Sequence, residues 1–229
     1  MAVAGFLKDI MLERNIKGSY ALGGITGYMV DMLEAGCFHA IQDVQCFDLK
    51  AVESIRMNPR HREITASHYA SPTAKSSAAS SLDVVVLGAT QIDKGFNVNV
   101  HTDSQGYIIG GSGGHTDVAE CAKLTIIVAP LSRARMPVVV DKVVCVSTPG
   151  SSVDMLVTQY GITVNPVHKG LAEKMEDAGL PLKTMEELVE LAYKINGIPS
   201  LSERNKGRVV AQVLNRDGSL LDEIFEVRE

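Results

Sequence analysis

The chain has 229 residues, of which 45% are hydrophobic and 21% charged. That composition fits an ordinary globular fold with a sizeable core. A net charge of -5 leaves no basic stripe for nucleic acid, and the apolar runs are strand length, far short of the ~20 residues that a membrane helix needs. A signal peptide is not expected, because Phe6-Leu7 runs straight into Lys8-Asp9. The four cysteines, at 37, 46, 121 and 145, form no C-x-x-C pair. They are therefore expected to be reduced thiols in a cytoplasmic protein, with no metal site.

In chain order, residues 2–17 read as a helix, Ser19 to Leu22 as a short strand punctuated by Gly23-Gly24, and Thr26 to Ala35 as a helix stopped by Gly36. Phe38 to Val44 reads as a strand. Asp48 to Met57 reads as a helix ending before Asn58-Pro59, and Glu63 to Ala66 is strand-like. Leu82 to Leu87 and Leu124 to Ala129 are runs of the kind found in strands buried on both faces of a parallel sheet. Thr184 and Glu187 have the spacing of a capping box. Leu188, Leu191, Ala192 and Ile195 follow at helical spacing, and Gly197 stops the helix. Asn215-Arg216-Asp217-Gly218 between the runs Arg208 to Leu214 and Leu220 to Val227 predicts a β-hairpin. The fold class expected is α/β: one domain over 1–229 with an open, mostly parallel sheet flanked by helices, closed by that C-terminal hairpin.

Three stretches carry chemistry. Gly110-Gly111-Ser112-Gly113-Gly114 places four glycines in five positions, so backbone amides can approach a ligand and stabilise a developing oxyanion. The spacing is neither G-x-G-x-x-G nor a P-loop, and a tight turn would explain it equally well. Asn97 and Asn99 alternate with apolar residues in Phe96-Asn97-Val98-Asn99-Val100, so on a strand both amides share one face and can grip a carboxylate or an amide-bearing cofactor arm. A solvated edge strand is the competing reading. Ser67-His68-Tyr69-Ala70-Ser71-Pro72 reads as a polar loop at a strand end, where His68 can donate a proton or pair with a substrate carboxylate. A lone loop histidine is more often plain surface. Hydrolase chemistry of the Ser-His-Asp kind is unsupported, and no H-E-x-x-H occurs.

Leu82-Asp83-Val84-Val85-Val86-Leu87-Gly88-Ala89-Thr90-Gln91-Ile92-Asp93, then Asn-Val-Asn-Val, the glycine loop, and the strand pair within Asp154 to Val164 resemble the family I CoA transferases in kind and order. Across most of the chain, including Gly23-Gly24-Ile25-Thr26-Gly27, Gln42 to Asp48 and Ser67 to Pro72, the closer resemblance is to the citrate lyase alpha-subunit family. That family is about twice as long and built of two transferase-like halves, and this chain resembles the C-terminal half. The resemblance implies exchange of the acetyl group of acetyl-ACP for citrate, giving citryl-ACP and acetate. The thioester rides on the prosthetic group of an acyl carrier protein, with no cofactor bound covalently to this chain. The implied partners are the beta lyase subunit, the gamma carrier protein and the missing N-terminal half. Without that half the chain is expected to be nearly inactive. Gly113, Gly114 and His68 would be catalytic, and Gly110, Gly111, Ser112, Asn97, Asn99 and Tyr69 would contact the substrate or its thioester. One departure bears on mechanism. CoA transferases of this class place a nucleophilic glutamate before the buried strand, whereas this sequence has no Asp or Glu between Glu63 and Asp83. Alternatives are a transferase for another short acyl group, such as the malonate decarboxylase subunit, and a non-catalytic scaffold that binds the carrier protein. A sugar-phosphate isomerase would want a carboxylate base beside a phosphate loop, and no convincing pair is present.

Overall fold

The computed structural model describes residues 2–74, 76–199 and 207–227. The chain divides into two compact units, Met1–Ser80 and Ser81–Glu229, each described by itself.

The first unit runs α1 (Ala2–Glu13), β1 (Gly18–Ile25), α2 (Gly27–Glu34), β2 (Phe38–Cys46), α3 (Leu49–Met57), β3 (His61–Glu63) and the single turn α4 (Ala66–Ala70). The three strands form a parallel sheet in the order β1-β2-β3. Helices α2 and α3 are the crossovers that parallel strands require. Ala21, Ile25, Val30, Leu33, Ile41 and Ala51 make its core. Asp48 ties the two crossovers together. One carboxylate oxygen accepts the Ala51 amide as the N-cap of α3, and the other accepts the Gly27 amide at 2.6 Å.

The second unit runs β4 (Val84–Leu87), β5 (Gln91–Asp93), β6 (Val98–Asn99), α5 (His115–Cys121), β7 (Leu124–Val128), β8 (Ser132–Arg133), β9 (Met136–Pro137), β10 (Val139–Val140), β11 (Met155–Thr158), β12 (Gly161–Val164), α6 (Lys169–Asp177), α7 (Met185–Asn196), β13 (Val209–Leu214) and β14 (Leu220–Phe225). Its main sheet has the order β12-β11-β7-β4, parallel except for β12. A smaller sheet, β10-β5-β6, and helix α7 enclose a core of Ile92, Phe96, Val98, Ile127, Leu131, Val139, Leu156, Leu188 and Val189.

The expected parallel α/β architecture is present, distributed over separate sheets rather than one. The two apolar runs pair directly as β4 and β7. One detail is corrected. The run at 82–87 was expected to be buried on both faces, yet Val84 and Val86, which share one face of the edge strand β4, are 48% and 44% exposed, so that face is open to solvent there. The capping box at Thr184 and Glu187 forms, and Gly197 ends α7 at φ 82°. The hairpin lies where Asn215 to Gly218 placed it, with Gly218 at φ 84°. Its Arg216 hydrogen-bonds the Asp117 carbonyl and the Cys121 sulfur, fastening the turn to α5.

Candidate functional site

The glycine loop lies beyond the C-terminal end of β4, where open parallel sheets commonly bind ligands. Its entry is anchored by His101, whose carbonyl accepts the amides of Ile109 at 2.8 Å and Gly110 at 3.4 Å. Its exit is anchored by the His115 amide, which donates to the Ser112 carbonyl. Between these anchors, among the described residues, the amides of Gly111, Ser112, Gly113 and Gly114 have no hydrogen-bond acceptor within the chain. Gly113 is left-handed at φ 54°, whereas Gly114 has an ordinary φ of -93°. A side chain at Gly110, Gly111 or Gly113 would meet nothing within 4 Å. The loop is thus open backbone, with a left-handed turn at Gly113 and four donors free to serve an anionic oxygen.

Two histidines brace it. His115 Nε2 lies 2.9 Å from the Gly88 carbonyl at the end of β4, and its Nδ1 lies 2.7 Å from Thr148 Oγ1. A carbonyl only accepts, so Nε2 carries the proton and Nδ1 accepts from the threonine hydroxyl. Burial pushes the His115 imidazole below its ordinary range and keeps it neutral. His101 Nδ1 stands 2.6 Å from Ser147 Oγ, which also accepts the Val100 amide. Burial lowers the His101 pKa too. Thr116 Oγ1 donates to the Ser147 carbonyl at 2.5 Å and lies 3.0 Å from Thr148 Oγ1. Ser147, Thr148, His101, His115 and Gly88 form a polar rim that holds the loop against the sheet.

The neutral histidines give a pH prediction. The unfolded chain binds protons at the ordinary imidazole value of about 6.5, and the folded chain resists them. Stability is therefore full above that value and is lost as pH falls through it. Urea midpoints measured from about pH 7.5 down to about pH 5.5 should fall, and His115→Gln should flatten the slope. An unchanged slope in the variant would remove His115 as its source.

Asn99 is fully buried. Its Oδ1 accepts the amides of His101 and Thr102, and its Nδ2 donates to Gln91 Oε1 and Thr102. It positions His101 and, through it, the start of the glycine loop. Asn97 precedes β6 and donates to both oxygens of Asp93, while its Oδ1 accepts the Gly150 amide at 3.0 Å. Both amides are occupied by protein groups, so the structure does not bring them to the glycine loop as a free pair. His68 and Tyr69 belong to the other unit. They sit on α4, a helical turn capped by Thr65 where the sequence suggested an open loop. His68 is exposed, and Tyr69 is half-buried with its ring facing Gly23, a residue held at φ 111°. The sequence reading assigned no role to His115, Ser147 or Thr148. Only the position of His115 directly after Gly114 hinted at one.

A family model described as citrate lyase, alpha subunit (CitF) matches residues 1–227. The chain belongs to the citrate lyase alpha-subunit family. It is 48% identical over 229 residues to the citrate lyase alpha chain of Escherichia coli (strain K12), and 49% identical over 228 residues to that of Klebsiella pneumoniae. In both cases it spans 100% of its own length but 45% of the relative's. Among solved structures, an alpha subunit of citrate lyase from Streptococcus mutans in complex with citrate superposes with a TM-score of 0.94 at 46% identity, covering 100% of this chain and 45% of that one. RipA from Yersinia pestis, at a TM-score of 0.53 and 18% identity over 84% of this chain and 45% of that one, shares the fold. Among the described residues no helix is long and apolar enough to cross a membrane.

Proposed function

We propose that this chain supplies the C-terminal half of a cytoplasmic citrate lyase alpha subunit that exchanges acetyl-ACP with citrate, giving citryl-ACP and acetate. The observation that carries this reading is the open glycine loop with four unpaired amides, within a chain whose relatives are citrate lyase alpha chains. The citrate held by the Streptococcus mutans relative supports citrate as the acceptor. The remaining partners would be the N-terminal half, the carrier protein and the lyase subunit of the complex.

The chemistry proceeds by direct exchange. A citrate carboxylate oxygen attacks the acetyl thioester carbon, the C–S bond breaks, and the carrier thiolate departs from a mixed acetyl-citryl anhydride. The thiolate then attacks the citryl carbonyl, the anhydride C–O bond breaks, and acetate leaves. An oxyanion develops in each step, and the amides of Gly113 and Gly114 would hold it. Gly110, Gly111 and Ser112 would line the thioester path. Asn97 and Asn99 act as positioning residues. Both steps depend on proximity rather than on an enzyme nucleophile.

The stretch from Ile64 to Leu82 contains no carboxylate, and Asp83 is exposed and paired with Lys123 at 2.7 Å. We therefore expect no acyl-enzyme. A chain extended to the length of its relatives, mixed with acetyl-ACP without citrate, should yield no acylated Glu or Asp by mass spectrometry or borohydride trapping. Exchange should proceed once citrate is added. A kinetically competent acyl group on Glu63, Asp83 or another carboxylate would end the direct-anhydride reading.

A further inference from the structure

We propose that Asp43, Cys46 and His61, in the first unit, form a binding site for a divalent transition-metal ion of the zinc or cobalt type. The three residues offer one ligand atom each, all within 4.8 Å of one another. Cys46 Sγ and His61 Nε2 both face Asp43 Oδ2, at 2.9 and 3.0 Å. In a regular strand, residues 43 and 46 would point to opposite faces, since side chains alternate. The pairing of β1 with β2 slips here. Gly23 faces Asp43 and Gly24 faces Gln45, so Val44 is a bulged extra residue. That single insertion turns the Cys46 thiol onto the same face as Asp43. His61 lies opposite Ile41 on β3, diagonal to Asp43 on that face.

The supporting shell is in place. Ser54 Oγ lies 2.9 Å from His61 Nδ1, where it can accept that proton and leave Nε2 as the ligand, and Asp43 Oδ1 accepts the Gln45 amide at 2.6 Å. Zinc bonds of about 2.0 Å to N or O and about 2.3 Å to S put ligand atoms roughly 3.3–3.7 Å apart in a tetrahedron. The cluster therefore has to open by about half an ångström. Asp43 and His61 are buried at 1% and 2% exposure, while Cys46 is partly exposed and provides the way in. Without metal, the Cys46 thiol donates its S–H to the Asp43 carboxylate. On binding, the imidazole proton shifts from Nε2, where it faces Asp43, to Nδ1, where Ser54 Oγ accepts it; the S–H proton leaves to solvent, and metal–nitrogen and metal–sulfur bonds take their places. The charges of a divalent ion, one carboxylate and one thiolate then sum to zero, which suits a buried position. Three protein ligands leave the fourth position to water.

The test titrates the reduced, chelator-free chain with Co²⁺. The expected result is a near-ultraviolet thiolate-to-cobalt charge-transfer band that saturates at one ion per chain, releases one proton and is bleached by Zn²⁺. Cys46→Ser keeps a donor to Asp43 and should fold, as circular dichroism would verify, but lose the band. Ser54→Ala should weaken binding by about 10- to 100-fold. Absence of the band at stoichiometric Co²⁺, or its survival in folded Cys46→Ser, would overturn the site.

Discussion

Replacing Gly114 with proline should slow acetyl-to-citryl exchange by about 10²- to 10³-fold, the usual cost of removing one oxyanion donor. Position 114 is the informative one because of its backbone. Its φ of -93° is negative and about 30° from what a pyrrolidine ring adopts, so proline removes the N–H at the cost of a modest backbone adjustment. Gly113, which precedes it, has no Cβ to crowd the ring. Substituting Gly113 itself would be ambiguous. At φ 54° an alanine there keeps its N–H but carries a left-handed strain of about 1–2 kcal/mol, so a slow variant would report strain and not a lost donor. Gly114→Ala is the control, since it keeps the amide and fits the φ. The measurement is the exchange of labelled acetate out of acetyl-ACP with citrate, in a chain extended to the length of its relatives. A Gly114→Pro variant that melts like the parent and exchanges within about threefold of it would remove this amide from the mechanism.

Elements whose cause is local were legible in the sequence. Thr184 and Glu187 cap α7 because the residues that satisfy its first amides lie three positions apart. The hairpin turn needs φ above zero at one residue, and Gly218 supplies it. The apolar runs at β4 and β7 became parallel neighbours, but which strand would sit at an edge depends on the order of the sheet, a non-local property. Ser67 to Pro72 looked like a polar loop because serines, His68 and Tyr69 lead up to a proline. Thr65 instead caps a single helical turn there.

The site was legible in its glycines and opaque in its polar residues. A glycine run advertises open backbone directly. Asn97 and Asn99 have the alternation of a ligand-facing strand, yet the same spacing serves residues that turn inward to satisfy buried backbone, and only the fold distinguishes the two. His115 acts through Thr148 and Gly88, which lie 33 and 27 residues away along the chain. The Asp43, Cys46 and His61 cluster was invisible for another reason. Cysteine spacing rules look for paired thiols, and a bulge that rotates one side chain onto its neighbour's face leaves no periodic trace.

Gly150→Ala should be the most destabilising small substitution in the second unit, costing about 3 kcal/mol, at the upper end of what overpacking usually costs. A Cβ at Gly150 would stand 1.8 Å from the Gly95 carbonyl oxygen and 2.9 Å from the Gly95 carbonyl carbon, so the obstruction is backbone, not a side chain that can swing away. Nor can the opposing turn retreat. Asp93 Oδ1 accepts the amides of Gly95 and Asn97, Asn97 Oδ1 in turn accepts the Gly150 amide, and the Phe96 side chain is buried with its backbone already at φ 62°. On the other side, Asn165 Nδ2 donates to the carbonyls of Gly150 and Val153. The contact therefore joins two hydrogen-bonded segments with no slack between them, and the methyl must break part of one. For a unit of this size the loss corresponds to a fall in Tm of roughly 6–12 °C. Gly110→Ala serves as the comparison, since a side chain there meets nothing within 4 Å, and its stability should stay within about 0.5 kcal/mol of the parent. Calorimetry on the three proteins decides the matter. A Gly150→Ala protein melting within about 2 °C of the parent would mean that the β5–β6 turn yields, and that the Asp93 and Asn97 clamp does not hold it.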